Sequence, residues 1–111
     1  MILNMIILTG SQSTFEGDVL NGWMIKPPHY NPKKKHPAFL TIYGGPGSQT
    51  VTNSWGGFNY FWHQHLAQKG YVVVSVDNRG TGARGVDFKK VTYKELGKYE
   101  TMDQIEVAKY L

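Results

Sequence analysis

The segment Thr41-Ile42-Tyr43-Gly44-Gly45-Pro46-Gly47-Ser48-Gln49 holds the residue types best suited to chemistry in this 111-residue chain. A hydrophobic run ends there in a glycine-rich turn. Glycines allow the backbone to approach a substrate carbonyl closely, and a phenolic hydroxyl can donate to a tetrahedral oxyanion, a contribution of roughly 3 kcal/mol to the transition state. From the residues alone, the segment is either such an anion-receiving turn or a plain strand-to-loop turn with a packed tyrosine. A nucleophilic serine on a G-x-S-x-G elbow, the natural complement of such a turn, does not occur in the chain.

Two other constellations imitate chemistry. Asp77-Asn78-Arg79-Gly80-Thr81-Gly82-Ala83-Arg84-Gly85 contains a literal G-x-G-x-x-G after a predicted strand. The dinucleotide-binding form of that pattern opens directly into an amphipathic helix and a second strand. Here Val86 to Tyr99 is polar, Lys-rich and interrupted by Gly97, so the match is read as accidental. Asp77 and Arg79 instead hold a tight loop in which glycines such as Gly80 supply positive φ angles. The pair His63 and His65 invites a metal, but residues two apart on a helix point to nearly opposite sides. No Asp, Glu or Cys stands at helical spacing beside either, so no metal site is expected. His65 is expected to pack on an apolar face with Phe61 and Trp62, and His29 and His36 to be exposed in a turn segment.

The elements that must position these residues are punctuated by glycine and proline. Strands are predicted at Met5 to Thr9 and Val19 to Lys26, with Gly17-Asp18 as the turn between them, and Pro27-Pro28 ends the second. His29 to Pro37 is a surface connection. Ala38 to Tyr43 is a third strand. Trp55 to Lys69 is a helix whose apolar face carries Phe58, Phe61, Trp62 and Leu66, stopped by Gly70. The nearly continuous β-branched run Tyr71 to Val76 suits a parallel strand buried on both faces in mid-sheet. A last helix is predicted from a capping box, with Thr101 as N-cap and Gln104 reaching back, and Ile105, Ala108 and Leu111 on one face. Strand, helix and strand from Ala38 to Val76 make a βαβ unit, so the class is α/β. The last helix meets Leu111 without a glycine or a cap, which is expected of a chain cut within a domain.

Composition narrows the partners. Twelve Lys and Arg stand against eight Asp and Glu, and the one dense cluster, Lys33-Lys34-Lys35, lies between prolines with no interleaved aromatics. That is a solvated loop, so no nucleic acid is expected. There is no cysteine, hence no disulfide and no thiolate metal site. Met1 to Leu8 lacks a basic n-region and is far shorter than the roughly 20 residues that span a bilayer, so no signal peptide and no membrane insertion are expected.

Four motifs in order resemble the prolyl oligopeptidase family of serine peptidases, in its dipeptidyl peptidase IV branch. Gly17-Asp18-Val19-Leu20-Asn21-Gly22-Trp23-Met24-Ile25-Lys26-Pro27 resembles the entry into that family's catalytic domain. Tyr43-Gly44-Gly45-Pro46-Gly47-Ser48-Gln49 resembles its Y-x-G-P-x-S-Q oxyanion turn, and Asp77-Asn78-Arg79-Gly80-Thr81-Gly82 its D-x-R-G-[ST]-G loop. Leu96-Gly97 with Glu100 and Asp103-Gln104 resembles its L-G-x-x-E-x-x-D-Q segment. Residues 1–14 match poorly and are assigned to an N-terminal strand. Residues 15–111 are assigned to the N-terminal part of an α/β-hydrolase domain, a mostly parallel sheet with flanking helices, truncated before the nucleophile elbow.

The resemblance implies a fragment of a serine peptidase that cuts peptides after proline, in dipeptidyl peptidase fashion, without a cofactor. Tyr43 is its one catalytic position here, in the oxyanion hole, supported by Gly44, Gly45, Pro46, Gly47, Asp77, Arg79 and Gly80. The nucleophile, acid and histidine of the triad have no counterpart in the chain, which is expected to be inactive alone. The implied partners are proline-containing peptides for the parent enzyme, the remaining half of the domain and a β-propeller whose glutamates hold the peptide amino terminus. A periplasmic or secreted location is implied. A non-catalytic binding domain on a hydrolase scaffold and a fragment of an esterase are the alternatives. In this fold Tyr71 to Val76 lies between Val19 to Lys26 and Ala38 to Tyr43, leaving an unpaired outer edge, so low stability and edge pairing are expected of the chain by itself.

Overall fold

Alternating and continuous apolar runs build one four-stranded mixed sheet in the computed structural model, which describes residues 3–10, 17–52 and 54–111. The apolar opening forms β1 (Leu3–Gly10), antiparallel to β2 (Gly17–Ile25). The predicted turn pair Gly17-Asp18 lies inside β2, with Gly17 opposite Gly10, and the residues joining the two strands fall outside the described ones. After the surface connection come β3 (Ala38–Leu40), α1 (Phe58–Gln68), β4 (Val72–Asp77), the five-residue α2 (Val86–Lys90) and α3 (Lys98–Tyr110).

The strand order is β1-β2-β4-β3, with β2 antiparallel to both β1 and β4 and β3 parallel to β4, so the sheet is mixed rather than mostly parallel; the β-branched run sits between the two neighbours expected of it and β3 forms an edge. Every residue of β4 is buried. Its side chains alternate between two cores, as a period-two strand requires. Val72, Val74 and Val76 join Leu20, Met24 and Val107 of α3 on one face. Val73 joins Ile25, Leu66 and Ala67 of α1 on the other. Helices thus cover both faces, which is why this strand is apolar throughout rather than alternating.

Three expectations are corrected by packing. Strand β3 is shorter than Ala38 to Tyr43. The Thr41 N–H still donates to the Val74 carbonyl at 2.9 Å, and beyond it the chain leaves the ladder towards Gly44 at φ 70°. In α1 the buried residues are His63, Leu66 and Ala67, whereas Phe58 is 92% exposed and Phe61 and Trp62 lie outside. The helical spacing was legible but its phase was not, because His63 and Ala67 face the sheet beside Trp23 and Val73. Accordingly His63, not His65, is the buried histidine; its ring lies 5.2 Å from that of Trp23, while His65 stacks on Trp62 in solvent. Helix α3 begins one turn earlier than expected. Gly97 is its N-cap, the Glu100 carboxylate accepts from the Gly97 N–H at 3.0 Å, and Thr101 Oγ1 donates to the Gly97 carbonyl. Its buried residues are Asp103 and Val107, and Ile105 and Leu111 are exposed.

Candidate functional site

Two loops meet where β3 and β4 end, the edge of an open α/β sheet at which ligands commonly bind. The first carries Tyr43 through Val51 and the second Asp77 through Gly85. A parallel pair places both at the same end of the sheet, so residues more than thirty positions apart in the chain become neighbours.

The stitching between the loops is polar and largely buried. The Asp77 carboxylate accepts from the Thr50 N–H and the Val51 N–H, each at 2.9 Å, and from Thr50 Oγ1 at 2.6 Å. One ionised side chain therefore ties off the far end of the first loop through charge-assisted bonds. At the loop centre the Gly82 N–H donates to the Ser48 carbonyl at 2.7 Å, and Ser48 Oγ donates to the Gly45 carbonyl at 2.6 Å. Gly80 has φ 97° and lies against Thr92, where a Cβ would come within 2.4 Å of the threonine methyl. Only glycine meets both demands.

Arg79 anchors the second loop to α3. Its Nη2 lies 2.8 Å from Asp103 Oδ1, its Nε is 3.1 Å from both carboxylate oxygens, and its backbone N–H donates to Asp103 Oδ2 at 2.8 Å. Both side chains are fully buried, with the Tyr99 ring 4.9 Å from the guanidinium carbon. Burying an ion pair is costly unless the geometry satisfies it, and the forked contact of guanidinium with carboxylate does so.

Tyr43 stands apart from this network. It is 73% exposed, its ring edge lies over Gly45, and it forms one wall of a shallow groove. Leu96, just before α3, and Glu100 and Ile105 within it also line this groove. Gly44, Gly45 and Pro46 line the same groove, whereas Gly47 packs against Gly82. Asp77, Arg79 and Gly80 are buried behind it. The structure thus gathers every sequence-selected site residue at one sheet edge, with Tyr43 outermost. It adds Asn78, Thr50 and Asp103, to which composition and local spacing assign no role, and Gln104, which those readings place in a capping box; their partners lie 24 to 34 residues away.

The histidines take no part in this site. Burial pushes the His63 ring below its ordinary pKa of 6.5, which favours the neutral form. Among the described residues no group of three or more His, Asp or Glu is placed to hold a metal ion. No helix among them is long and apolar enough to cross a membrane.

The profile of the Prolyl oligopeptidase family matches residues 58–111. The chain is 45% identical over 104 residues to "Probable dipeptidyl-aminopeptidase B" of Sclerotinia sclerotiorum, covering 93% of this chain and 11% of that protein. It is 44% identical over 95 residues to "Dipeptidyl peptidase 8" of Homo sapiens, covering 86% of this chain and 11% of the relative. Among solved structures, dipeptidyl peptidase 4 of Porphyromonas gingivalis superposes with a TM-score of 0.81 at 39% identity, over 96% of this chain and 14% of that one. The chain therefore spans about a tenth of the length of the curated relatives it matches.

Proposed function

As the chain belongs to the prolyl oligopeptidase family of serine peptidases, we propose that it is the N-terminal part of an α/β-hydrolase catalytic domain and supplies the oxyanion side of a dipeptidyl peptidase-like site. The observation that carries this is the placement of Tyr43. Its ring is exposed over a groove at the sheet edge, on a turn whose backbone is braced from behind.

In the proposed reaction a serine from outside these residues attacks the carbonyl carbon of a peptide bond that follows proline. The carbonyl oxygen takes up negative charge as the tetrahedral intermediate forms. The Tyr43 hydroxyl donates to that oxygen, together with the backbone N–H after the nucleophile. Such a bond strengthens as charge develops, so it acts mainly on the transition state. Gly44 and Gly45 keep the turn free of side chains that would block the groove, and collapse of the intermediate expels the peptide's amine, protonated by the histidine of the triad.

The chain by itself carries no elbow serine, so a pure sample is expected neither to react with a fluorophosphonate probe nor to cleave a Gly-Pro chromogenic substrate. Activity in such a sample would overturn its proposed inertness. In the intact peptidase that carries this segment, Tyr43→Phe should lower kcat by more than about tenfold with KM little changed. An unaltered kcat would reduce Tyr43 to a packing residue.

A further inference from the structure

We infer that Asn78 is a positioning residue for the oxyanion turn, acting on Tyr43 through the carbonyl of Gly44. The inference rests on the role proposed for Tyr43 and deepens it.

Asn78 follows the last residue of β4 and is completely buried, yet it is polar and uncharged at a position where an apolar side chain would cost less to bury. Its Nδ2 donates to the Gly44 carbonyl at 3.2 Å and to the Arg79 carbonyl at 2.8 Å. Both partners are pure acceptors, so the amide can face them only with its nitrogen. Its Oδ1 accepts from Gln104 Nε2 at 3.2 Å. Gln104 in turn donates to the Val76 carbonyl at 3.1 Å, while its own Oε1 is buried without a hydrogen-bond partner among the described residues. Turning the Gln104 amide over would set oxygen against oxygen at both contacts. Gln104 therefore leaves an acceptor unsatisfied while holding Asn78 in one orientation.

The other residues of this loop are committed elsewhere. Asp77 ties down Thr50 and Val51, and Arg79 is engaged by Asp103. Among the described contacts of these three residues, it is Asn78 that reaches the residue directly after Tyr43. The contact constrains in both directions. Gly44 holds φ 70°, and a Cβ there would approach Asn78 Oδ1 to 2.8 Å, so the turn can be neither loosened nor filled without moving the amide. Tyr43 has an exposed side chain whose ring rests on Gly45 of the same turn, so the backbone bond next to it helps to set where the hydroxyl points. A displacement of about 1 Å at a group of this kind is enough to slow turnover by one to two orders of magnitude.

The test is a double-mutant cycle in the intact peptidase that carries this segment, using Tyr43→Phe, Asn78→Ala and the pair. Melting temperature and fluorophosphonate labelling serve to confirm a folded, nucleophile-bearing enzyme. Asn78→Ala should lower kcat by about tenfold with KM within about twofold. In the Tyr43→Phe background the same change should have little further effect, since no hydroxyl remains to position. Should the alanine variant fail to fold, Asn78→Ser, whose hydroxyl is too short to reach Gly44, carries the same expectations. If Tyr43→Phe slows turnover but the Asn78 change leaves kcat intact, or its effect multiplies in full with that of Tyr43→Phe, the positioning role is overturned and the proposed function stands. If Tyr43→Phe has no effect, the proposed role of Tyr43 fails and the inference fails with it.

Discussion

The loop that follows β4 and the outer surface of α1 are opposite solutions to holding a segment in place. From Asp77 to Gly82 the chain is almost wholly buried; the side chains of Asp77, Asn78 and Arg79 each bind a residue distant in sequence, and the Thr81 hydroxyl donates to the Asn78 carbonyl within the loop. The outward face of α1 presents Phe58, Phe61 and Trp62 to solvent, with Trp55 and Tyr60 in loose ring contact, and the helix is held mainly through Leu66, Ala67 and His63 beneath. Directional bonds define an angle as well as a distance, whereas apolar contacts exclude water without fixing orientation. A turn that must aim a hydroxyl gains from the first kind of support, and a helix that only has to cover a sheet needs the second.

Breaking the braced region should therefore cost far more than altering the exposed one. Asp103→Ala removes the carboxylate that pairs with the buried Arg79 guanidinium, and urea unfolding should show a loss of about 3–5 kcal/mol. A loss below about 1 kcal/mol would mean that water or another group takes over the guanidinium. Gly80→Ala should cost about 3 kcal/mol, from φ 97° and a collision with Thr92. Thr92→Ala should recover part of that loss, and strict additivity of the two changes would show the collision to be unimportant.

His63 sharpens the contrast through pH. Its folded-state pKa is depressed by burial below the 6.5 of the unfolded chain, so the unfolded state takes up a proton first. The stability it contributes is fully present above pH 6.5 and is lost as pH falls from there towards the folded value. The melting temperature should decline between pH 7 and pH 5, and His63→Gln should flatten that decline. An unchanged slope in the variant would assign the effect to other groups. At the small end, Phe58→Ser and Phe61→Ser should each shift stability by no more than about 0.5 kcal/mol. A larger loss would show that this aromatic surface carries structure after all.

What was legible in the chain was what local chemistry imposes. Tyr71 to Val76 announced a central strand because only a position covered on both faces tolerates so continuous a β-branched run. The glycines after Tyr43 and at Gly80 announced turns because few other residues adopt the required φ. Gly44 and Gly80 do hold it. The helical spacings of α1 and α3 are also visible, yet of the expected α1 face only Leu66 is buried, and the expected α3 face lies outside. Phe61 and Trp62 look like core by composition, and Asp103 looks like surface. An aromatic ring gains from burial wherever room exists, but whether room exists depends on the distance between helix and sheet, which His63 and Ala67 set.

The amino-acid sequence by itself determined the α/β alternation, the central strand, the glycine-bearing turns and the residue types gathered at the sheet edge, because each follows from backbone sterics and apolar period within a few residues. Only the tertiary structure decided that Arg79 pairs with Asp103, that Gln104 orients Asn78 instead of capping its helix, and that Asn78 grips the carbonyl beside Tyr43. Those choices depend on which groups lose water together when distant segments meet, and desolvation is a property of the packed whole that no local stretch of chain contains.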